Sequence, residues 1–287
     1  MDAPPSPDTP PATRALQLVL QYDGARFAGW QRQPDARTVQ GEIEAALARL
    51  CNAPVRVTGA GRTDAGVHAL GQAAGVTVPA RWTAESLRRA LNAVLPDDVW
   101  VAEAAAMRAD FHARFDATAR RYRYVVGTDD AARSPFRRAR EWHVPRPIDR
   151  ALLDAAAAHL VGAHAFRGFA VQGTAPADDD HRCEVREARW DVRDERAGER
   201  GFVFHVEADR FLHHMVRFLV GTMVDVATGR RPLADVPRLL AAPDNRGVSA
   251  PAPPHALYLA AVRYPARAYA AAADIAPQRA GPIATAA

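Results

Sequence analysis

The residues with the clearest chemical potential lie in one glycine-framed run, Gly59 to His68, with the letters GAGRTDAGVH. The run places the guanidinium of Arg62 two residues before the carboxylate of Asp64. A carboxylate can act as a nucleophile that divides one difficult step into easier ones. Arginine is a fixed cation that binds phosphates through two parallel hydrogen bonds and stacks on bases. The run therefore presents a cation and a potential nucleophile together.

Three glycines within eight residues predict a loop with unusual backbone angles, or one that another backbone approaches closely. A dinucleotide-binding loop would carry its third glycine at the sixth position and continue into a helix. Here the third glycine is the eighth residue and a strand is predicted next. Asp64 could also be a turn residue that bonds only to its own backbone. The neighbouring Arg62 favours the catalytic interpretation.

The composition fits an ordinary globular protein, with 48% hydrophobic and 24% charged residues and a net charge of +4. The chain contains no lysine, which excludes Schiff-base catalysis, phosphate-loop lysines and lysine general bases. Cys51 and Cys183 do not match any zinc-ligand spacing. The sequence lacks both an apolar run long enough for a membrane span and a secretion signal at its N-terminus. We therefore expect a cytoplasmic protein.

The hydrophobic periodicity that must position this loop occurs in two similar halves, each in the order β-α-β-β-α-β. In the first half we predict strands at 16–22, 55–58, 72–78 and 99–107, and helices at 38–50 and 83–95. In the second half we predict strands at 120–126, 184–192, 202–208 and 257–262, and helices at 149–161 and 211–228.

This order is typical of the split β-α-β pattern. It predicts an α+β fold of two ferredoxin-like (RRM-like) halves, whose antiparallel sheets lie side by side and flank a central active-site cleft. The predicted domains are 14–110, which carries the catalytic loop, and 111–265. The Pro-rich residues 1–13 and the Ala-rich residues 266–287 are predicted to be disordered or frayed tails.

The glycine-framed run resembles the signature of the tRNA pseudouridine synthase A family. Four further motifs occur in the expected order and cover, with this one, roughly residues 15–265. They are Tyr22-Asp23-Gly24 with Phe27 to Gln31, Phe111 to Phe115 with Arg120 to Tyr124, Phe211 to Arg217, and Ala256 to Leu259.

The resemblance implies a cofactor-free, metal-free isomerase that converts uridine to pseudouridine at positions 38, 39 and 40 of the tRNA anticodon stem-loop. It also implies a homodimer that shares one tRNA-binding surface. Asp64 would attack either uracil C6 or ribose C1′, and both possibilities stay open.

Three further site residues follow from the resemblance. Tyr122 matches the family's active-site tyrosine and would stack on the extruded uracil, although it could also be a core aromatic. Arg62 would hold the target nucleotide out of the base stack, or would only pair with Asp64. Arg217 would reach the Asp64 carboxylate, or would be a solvated arginine on its helix.

Two candidate cation sites are less convincing. His213 and His214 are adjacent on a predicted helix and should point in different directions. The run Asp178 to Asp180 with His181 fits a solvated loop, as like-charge blocks usually do.

The arginines at 120, 121, 123, 137, 138 and 140 interleave with tyrosines, which suits an RNA backbone and its bases. We expect them to bind phosphates. The segment between Phe169 and Trp190 departs from the family pattern, since only Arg186 aligns with its basic element.

Two other function classes remain. A non-catalytic RNA-binding protein with tandem RRM-like domains could use Tyr122 and Tyr124, but it gives no role to an acid on a glycine loop. A hydrolase or phosphotransferase would need several carboxylates around a metal ion, and Asp64 is the only one in the loop.

Overall fold

The computed structural model describes residues 12–174, 181–193 and 199–271. Its first strand, β1 (Thr13–Tyr22), shows why the alternating pattern predicts a sheet. Leu16, Leu18 and Leu20 are fully buried on one face of the strand, as expected when successive side chains point to opposite sides. Within the described residues, no helix is both long and apolar enough to cross a bilayer.

The strands after β1 are β2 (Val57–Gly59), β3 (His68–Pro79), β4 (Val99–Ala106), β5 (Ala119–Gly127), β6 (Trp142–His143), β7 (Gly162–Ala165), β8 (Arg182–Val192), β9 (Gly201–Ala208) and β10 (Leu257–Arg263). The helices are α1 (Val39–Cys51), α2 (Ala84–Asn92), α3 (Arg150–Ala158), α4 (Met215–Ala227) and α5 (Asp235–Leu240).

Side-chain caps fix the start of the first three helices. Thr38 accepts a hydrogen bond from the backbone of Gly41, and Thr83 forms a reciprocal capping box with Ser86. Asp149 accepts from the first turn of α3. Such caps satisfy backbone donors that have no partner within the helix. Thr38 and Thr83 are the residues at which the first two helices were predicted to begin, and both act as caps.

The strands form one sheet in the order β4-β1-β3-β10-β5-β9-β8-β7, with β2 paired to β3 and β6 to β5. It is mostly antiparallel, but β10 runs parallel to β3 where the two halves of the chain meet. Gly71 permits this junction, because a Cβ there would lie 2.5 Å from the carbonyl oxygen of Ala260. The two sheets that were predicted to lie side by side form one continuous sheet, because the last strand, β10, pairs with both β3 and β5.

The main strands of each half follow the same spatial order, in which the fourth strand of the half lies beside the first, then the third and the second. In the first half, α1 and α2 contact each other, and in the second half α3 contacts α4. Buried leucines and isoleucine from α1 and α2 supply much of the first core. These include Ile43, Leu47, Leu87 and Leu91.

The largest difference from the predicted elements is at α4, which begins at Met215 and not at Phe211. His214 has a φ of 60°, a left-handed conformation that an α-helix does not contain. Strands β6 and β7 and helix α5 were not predicted from the sequence.

At the C-terminal end, the packed chain continues past the predicted domain limit of 265. Ala268 and Tyr269 are buried, and Tyr269 forms a bridge with Met107. Residues 1–11, 272–287 and the run Asp178–Asp180 lie outside the described residues, and the limits of the two domains stay a prediction.

Candidate active site

The glycine-framed loop connects β2 to β3, and hydrogen bonds from several parts of the fold hold its backbone. The Thr63 carbonyl accepts from the Trp30 amide at 3.0 Å. The Gly61 carbonyl accepts from the Gln72 side chain at 2.9 Å. The Ala60 carbonyl accepts from Arg120 at 2.9 Å. The loop is therefore fixed before a substrate binds, which favours precise positioning of its side chains.

A second layer of contacts lies beneath Thr63. Its hydroxyl lies 2.7 Å from the hydroxyl of Tyr22, and both side chains are buried. Gly29 packs against the same residue with a φ of +100°, and a Cβ there would lie 2.7 Å from the Thr63 carbonyl oxygen. Only glycine combines this backbone angle with this close approach. The turn after β1 thus fixes the position of the catalytic loop at Thr63.

Asp64 is the partly buried acid of this site, with 23% of its side chain exposed. Nη1 of Arg217 lies 3.3 Å from its Oδ2, and Nε of the same guanidinium donates to the Ala252 carbonyl at 2.8 Å. The predicted contact between Arg217 and Asp64 is present. Because the second hydrogen bond fixes the guanidinium, its positive charge is held beside the carboxylate.

His213 and His214 also approach Asp64, which sequence reasoning did not predict. Nε2 of His213 lies 3.6 Å from Oδ1, and Nε2 of His214 lies 3.3 Å from Oδ2. The two residues precede α4, so the argument that they diverge on a helix is wrong. The left-handed backbone of His214 turns both rings toward one carboxylate, with ring centroids 4.1 Å apart. In the sequence, only the position of these histidines three and four residues before Arg217 could have indicated that they contact Asp64.

Potential ligand atoms of Asp64, His213 and His214 lie within 4.8 Å of one another. A metal ion at this point would have to share Asp64 with the fixed charge of Arg217, and the repulsion disfavours it. Burial lowers the pKa of His214; Asp64 opposes this shift, and Arg217 and His213 add to it. His214 is therefore a neutral imidazole near pH 7. The absence of a metal ion from this site stays a prediction from the sequence.

Tyr122 on β5 lines the same region. Its side chain is only 8% exposed and packs edge-to-face against Phe211, with ring centroids 5.0 Å apart. Burial raises the pKa of Tyr122, and the nearby Tyr22 and Asp64 raise it further. The phenol is therefore protonated at neutral pH. The two predicted roles, core packing and contact with the substrate, are compatible with this position.

Arg62 is exposed and forms no hydrogen bond or ion pair with another described residue. The alternative that Arg62 serves only as the partner of Asp64 is wrong, since Arg217 occupies that place. Its guanidinium is available for a phosphate or a base.

Most of the arginines that were expected to bind phosphates have partners inside the protein. Arg121 pairs with Glu187 and Glu207, and Arg123 lies over the Tyr258 ring at 4.6 Å.

The other arginines of this group differ in their partners. Arg120 donates to backbone carbonyls, Arg137 pairs with Asp129 and Glu141, and Arg140 pairs with Asp23. Only Arg138 of this group is exposed without a described partner. The interleaved arginines and tyrosines are therefore mainly structural. Arg186 is partly exposed and lies 3.8 Å from Glu184.

The chain matches the family described as tRNA pseudouridine synthase over residues 18–116 and 156–265. It is 45% identical over 254 residues to tRNA pseudouridine synthase A of Solidesulfovibrio magneticus, which covers 87% of this chain and 90% of that protein. The protein of the same name from Myxococcus xanthus is 41% identical, covering 87% of this chain and 91% of its own. The one from Roseiflexus is 42% identical, covering 88% and 91%.

Proposed function

Because this chain belongs to the tRNA pseudouridine synthase family and is thus an isomerase of uridine in tRNA, we propose that Asp64 is its catalytic nucleophile. We extend the proposal to the site of action, positions 38, 39 and 40 of the anticodon stem-loop, and to a reaction without cofactor or metal. The observation that carries it is the geometry of Asp64, a carboxylate on a rigid glycine loop with the Arg217 guanidinium 3.3 Å away. Family membership favours this isomerase over the RNA-binding and hydrolase alternatives.

In the proposed reaction, an oxygen of Asp64 forms a bond to uracil C6 or to ribose C1′. The N1–C1′ bond breaks, the uracil turns, and C5 bonds to C1′. Loss of the C5 proton, uptake of a proton by N1 and release of Asp64 complete the isomerisation, so substrate and product contain the same atoms. Asp64 attacks as a carboxylate, and the fixed guanidinium of Arg217 lies 3.3 Å from its Oδ2.

The uridine must leave the base stack to reach Asp64, which costs a few kcal/mol. The exposed and unpaired Arg62 is positioned two residues away to bind the phosphate or the vacated space. Tyr122 offers an aromatic ring beside the carboxylate on which the uracil can stack. The phenol stays protonated at neutral pH, so stacking suits it better than proton removal.

The spatial order of strands in each half agrees with a ferredoxin-like unit, and we interpret the sheet as two such units joined at β3 and β10. The active-site loop and Arg217 come from different halves, so the joint between halves is where the ligand would bind. The homodimer and the cytoplasmic location stay predictions.

The decisive experiment maps pseudouridine in unmodified tRNA incubated with the purified protein. We expect product at positions 38 to 40, and no detectable product with Asp64→Asn, which should bind tRNA almost normally. Asp154→Asn is a matched control, because Asp154 is an exposed aspartate on α3 that pairs with Arg150 and is remote from the catalytic loop in the sequence. An active Asp64→Asn enzyme, or product confined to other positions, would refute the corresponding part of the proposal.

A further inference from the structure

An exposed aromatic residue lies in the segment between β4 and β5. Phe115 is 76% exposed, although a large apolar side chain gains free energy when it leaves water. It stacks on the ring of His112, with ring centroids 4.3 Å apart and an angle of 27° between the planes. One face of the Phe115 ring is thus supported by the protein, and most of the side chain is open to solvent.

The backbone beneath Phe115 is held in one conformation. Nδ1 of His112 accepts hydrogen bonds from the amides of Arg114 and Phe115 at 3.2 and 3.3 Å. Asp116 accepts from the amide of His112 at 2.8 Å and pairs with Arg108 at 2.6 Å. These contacts fix the ring before any ligand arrives, which lowers the entropy that binding would otherwise lose.

The same segment is tied to the catalytic loop by one guanidinium. Nη2 of Arg120 donates both to the carbonyl of Arg114 at 2.7 Å and to the carbonyl of Ala60 at 2.9 Å. Ala60 is four residues before Asp64, a stretch that spans at most about 14 Å. Phe115 is therefore held near the proposed reaction centre by a direct structural link.

The charges around Phe115 suit a nucleic acid. The guanidinium carbon of Arg114 lies 5.8 Å from the centre of the Phe115 ring. Arg114 is exposed and, like Arg62 on the catalytic loop, forms no described ion pair. An open aromatic face beside unpaired arginines is the combination that binds single-stranded RNA, with the base on the ring and the phosphate on the cation.

We propose that Phe115 is a stacking platform for an unpaired base of the RNA substrate, a neighbour of the target uridine, and that Arg114 binds the adjoining phosphate. This inference rests on the proposed function, in which the target uridine leaves the base stack. Its departure exposes the faces of the neighbouring bases, and the platform compensates by stacking on one of them. A second protein chain is the competing occupant, because phenylalanine and arginine are also enriched at protein interfaces. The link through Arg120 to the loop that carries Asp64 favours the RNA.

The test uses anticodon stem-loop RNA that carries 2-aminopurine at one position at a time beside the target uridine. Its fluorescence falls when the base stacks on an aromatic ring. We expect quenching at one position with the unchanged protein and with Phe115→Trp, but not with Phe115→Leu. We also expect Phe115→Leu to bind the RNA about 5- to 150-fold more weakly, which corresponds to 1–3 kcal/mol per stacked base.

Trp100→Leu is the matched control, because Trp100 is 47% exposed and lies on β4, at the far edge of the sheet from β5. This variant should quench the 2-aminopurine fluorescence and bind the RNA as the unchanged protein does. Thermal unfolding of each variant checks that it is folded, and substitution of the exposed Phe115 should leave the midpoint nearly unchanged.

Two results would overturn the platform. One is RNA binding and quenching by Phe115→Leu that equal those of Trp100→Leu. The other is a dimer that dissociates in Phe115→Leu, as measured by sedimentation, while quenching persists; Phe115 would then be a contact between copies of the chain. Failure of the platform is separable from failure of the proposed function, since pseudouridine mapping of the same RNA reports on the latter alone.

Discussion

At Asp64, the outcome of the reaction depends on how one carboxylate is held. Arg217 bonds both to Asp64 and to the carbonyl of Ala252, so the cation is locked by a neutral acceptor as well as by its anion. Two histidines complete the surroundings, and His214 is neutral at pH 7 because burial lowers its pKa. The arginine therefore carries the permanent positive charge next to Asp64, the proposed nucleophile.

The first prediction concerns this arginine. Lysine in Arg217→Lys keeps the charge but cannot make both hydrogen bonds in the same planar geometry. Loss of a hydrogen bond to a charged group costs about 1.5–3 kcal/mol, so kcat should fall roughly 10- to 150-fold. The dissociation constant for tRNA should change little, because Arg217 is mostly buried.

Single-turnover rates and tRNA binding, measured side by side, check this prediction. Arg230→Lys is the control, because Arg230 follows the other end of α4 and pairs with Asp225. Equal loss of tRNA affinity and rate in Arg217→Lys would mean that the guanidinium binds the RNA and does not position Asp64.

The second prediction separates the two roles of Tyr122. Tyr122→Phe keeps the ring, whereas Tyr122→Leu removes the surface on which uracil stacks. Since the buried phenol stays protonated near pH 7, Tyr122→Phe should retain more activity than Tyr122→Leu. Stacking of about 1–3 kcal/mol makes the expected ratio roughly 5- to 150-fold.

The measurement is kcat from pH 6 to 9 for both variants and the unchanged enzyme. Equal activities of the Phe and Leu variants, both far below that of the unchanged enzyme, would instead show that the hydroxyl group is essential.

At the scale of elements, the catalytic loop depends on the turn that follows β1. Gly29 contacts the Thr63 carbonyl, and the Trp30 amide donates to the same oxygen at 3.0 Å. One turn, which is far from the catalytic loop in the sequence, thus holds the residue before Asp64. A small movement of this turn would move the nucleophile, because the contact leaves no free space.

The third prediction tests this dependence with Gly29→Ala. The φ of +100° is strained for alanine, and its Cβ would lie 2.7 Å from the Thr63 oxygen. We expect a loss of about 1–3 kcal/mol in the free energy of unfolding, and a fall in kcat of at least tenfold in the molecules that remain folded.

Gly229→Ala provides the control, because Gly229 has a φ of +73° but no atom within 4 Å of its Cβ position. It should lose stability through backbone strain alone and keep its kcat. Urea unfolding and initial rates distinguish the two effects. An unchanged kcat in Gly29→Ala would show that the turn does not position Asp64.

At the scale of the whole molecule, one sheet carries both halves, and many of the described arginines are paired with acidic residues of the protein. Arg121, for example, pairs with Glu187 and Glu207 across neighbouring strands. The net charge of +4 therefore gives little information about the RNA surface. The arginines that we propose to bind RNA are exposed and have no acidic partner among the described residues; Arg62 and Arg114 are two of them.

The fourth prediction follows from this distinction. Each phosphate contact contributes about −0.7 to −0.9 to the slope of log affinity against log salt concentration. Arg62→Gln and Arg114→Gln should each make the slope shallower by about that amount. Arg121→Gln should leave the slope unchanged and lower the stability, because it leaves Glu187 and Glu207 without their partner.

Filter binding of tRNA at several salt concentrations, from about 50 to about 300 mM, measures these slopes. A shallower slope in Arg121→Gln, with no change in the other two variants, would reverse the assignment of structural and RNA-binding arginines.

Local patterns in the sequence were enough to predict most of the secondary-structure elements and the candidate catalytic loop. The alternation of β1, the threonine caps of α1 and α2 and the glycine-framed run identify elements and a candidate nucleophile, because each depends on neighbouring residues. The order of motifs also led to the family. Element boundaries were less accurate where a single backbone angle decides them, as at His214.

Tertiary structure alone decided which side chains meet. The approach of His213 and His214 to Asp64 depends on residues about 150 positions apart, and on a left-handed backbone angle that has no signal in the sequence. The joining of two expected sheets by β10, and the pairing of Arg121 within the fold, likewise depend on long-range contacts. Proximity across the chain is set by packing of the whole molecule, which local periodicity does not contain.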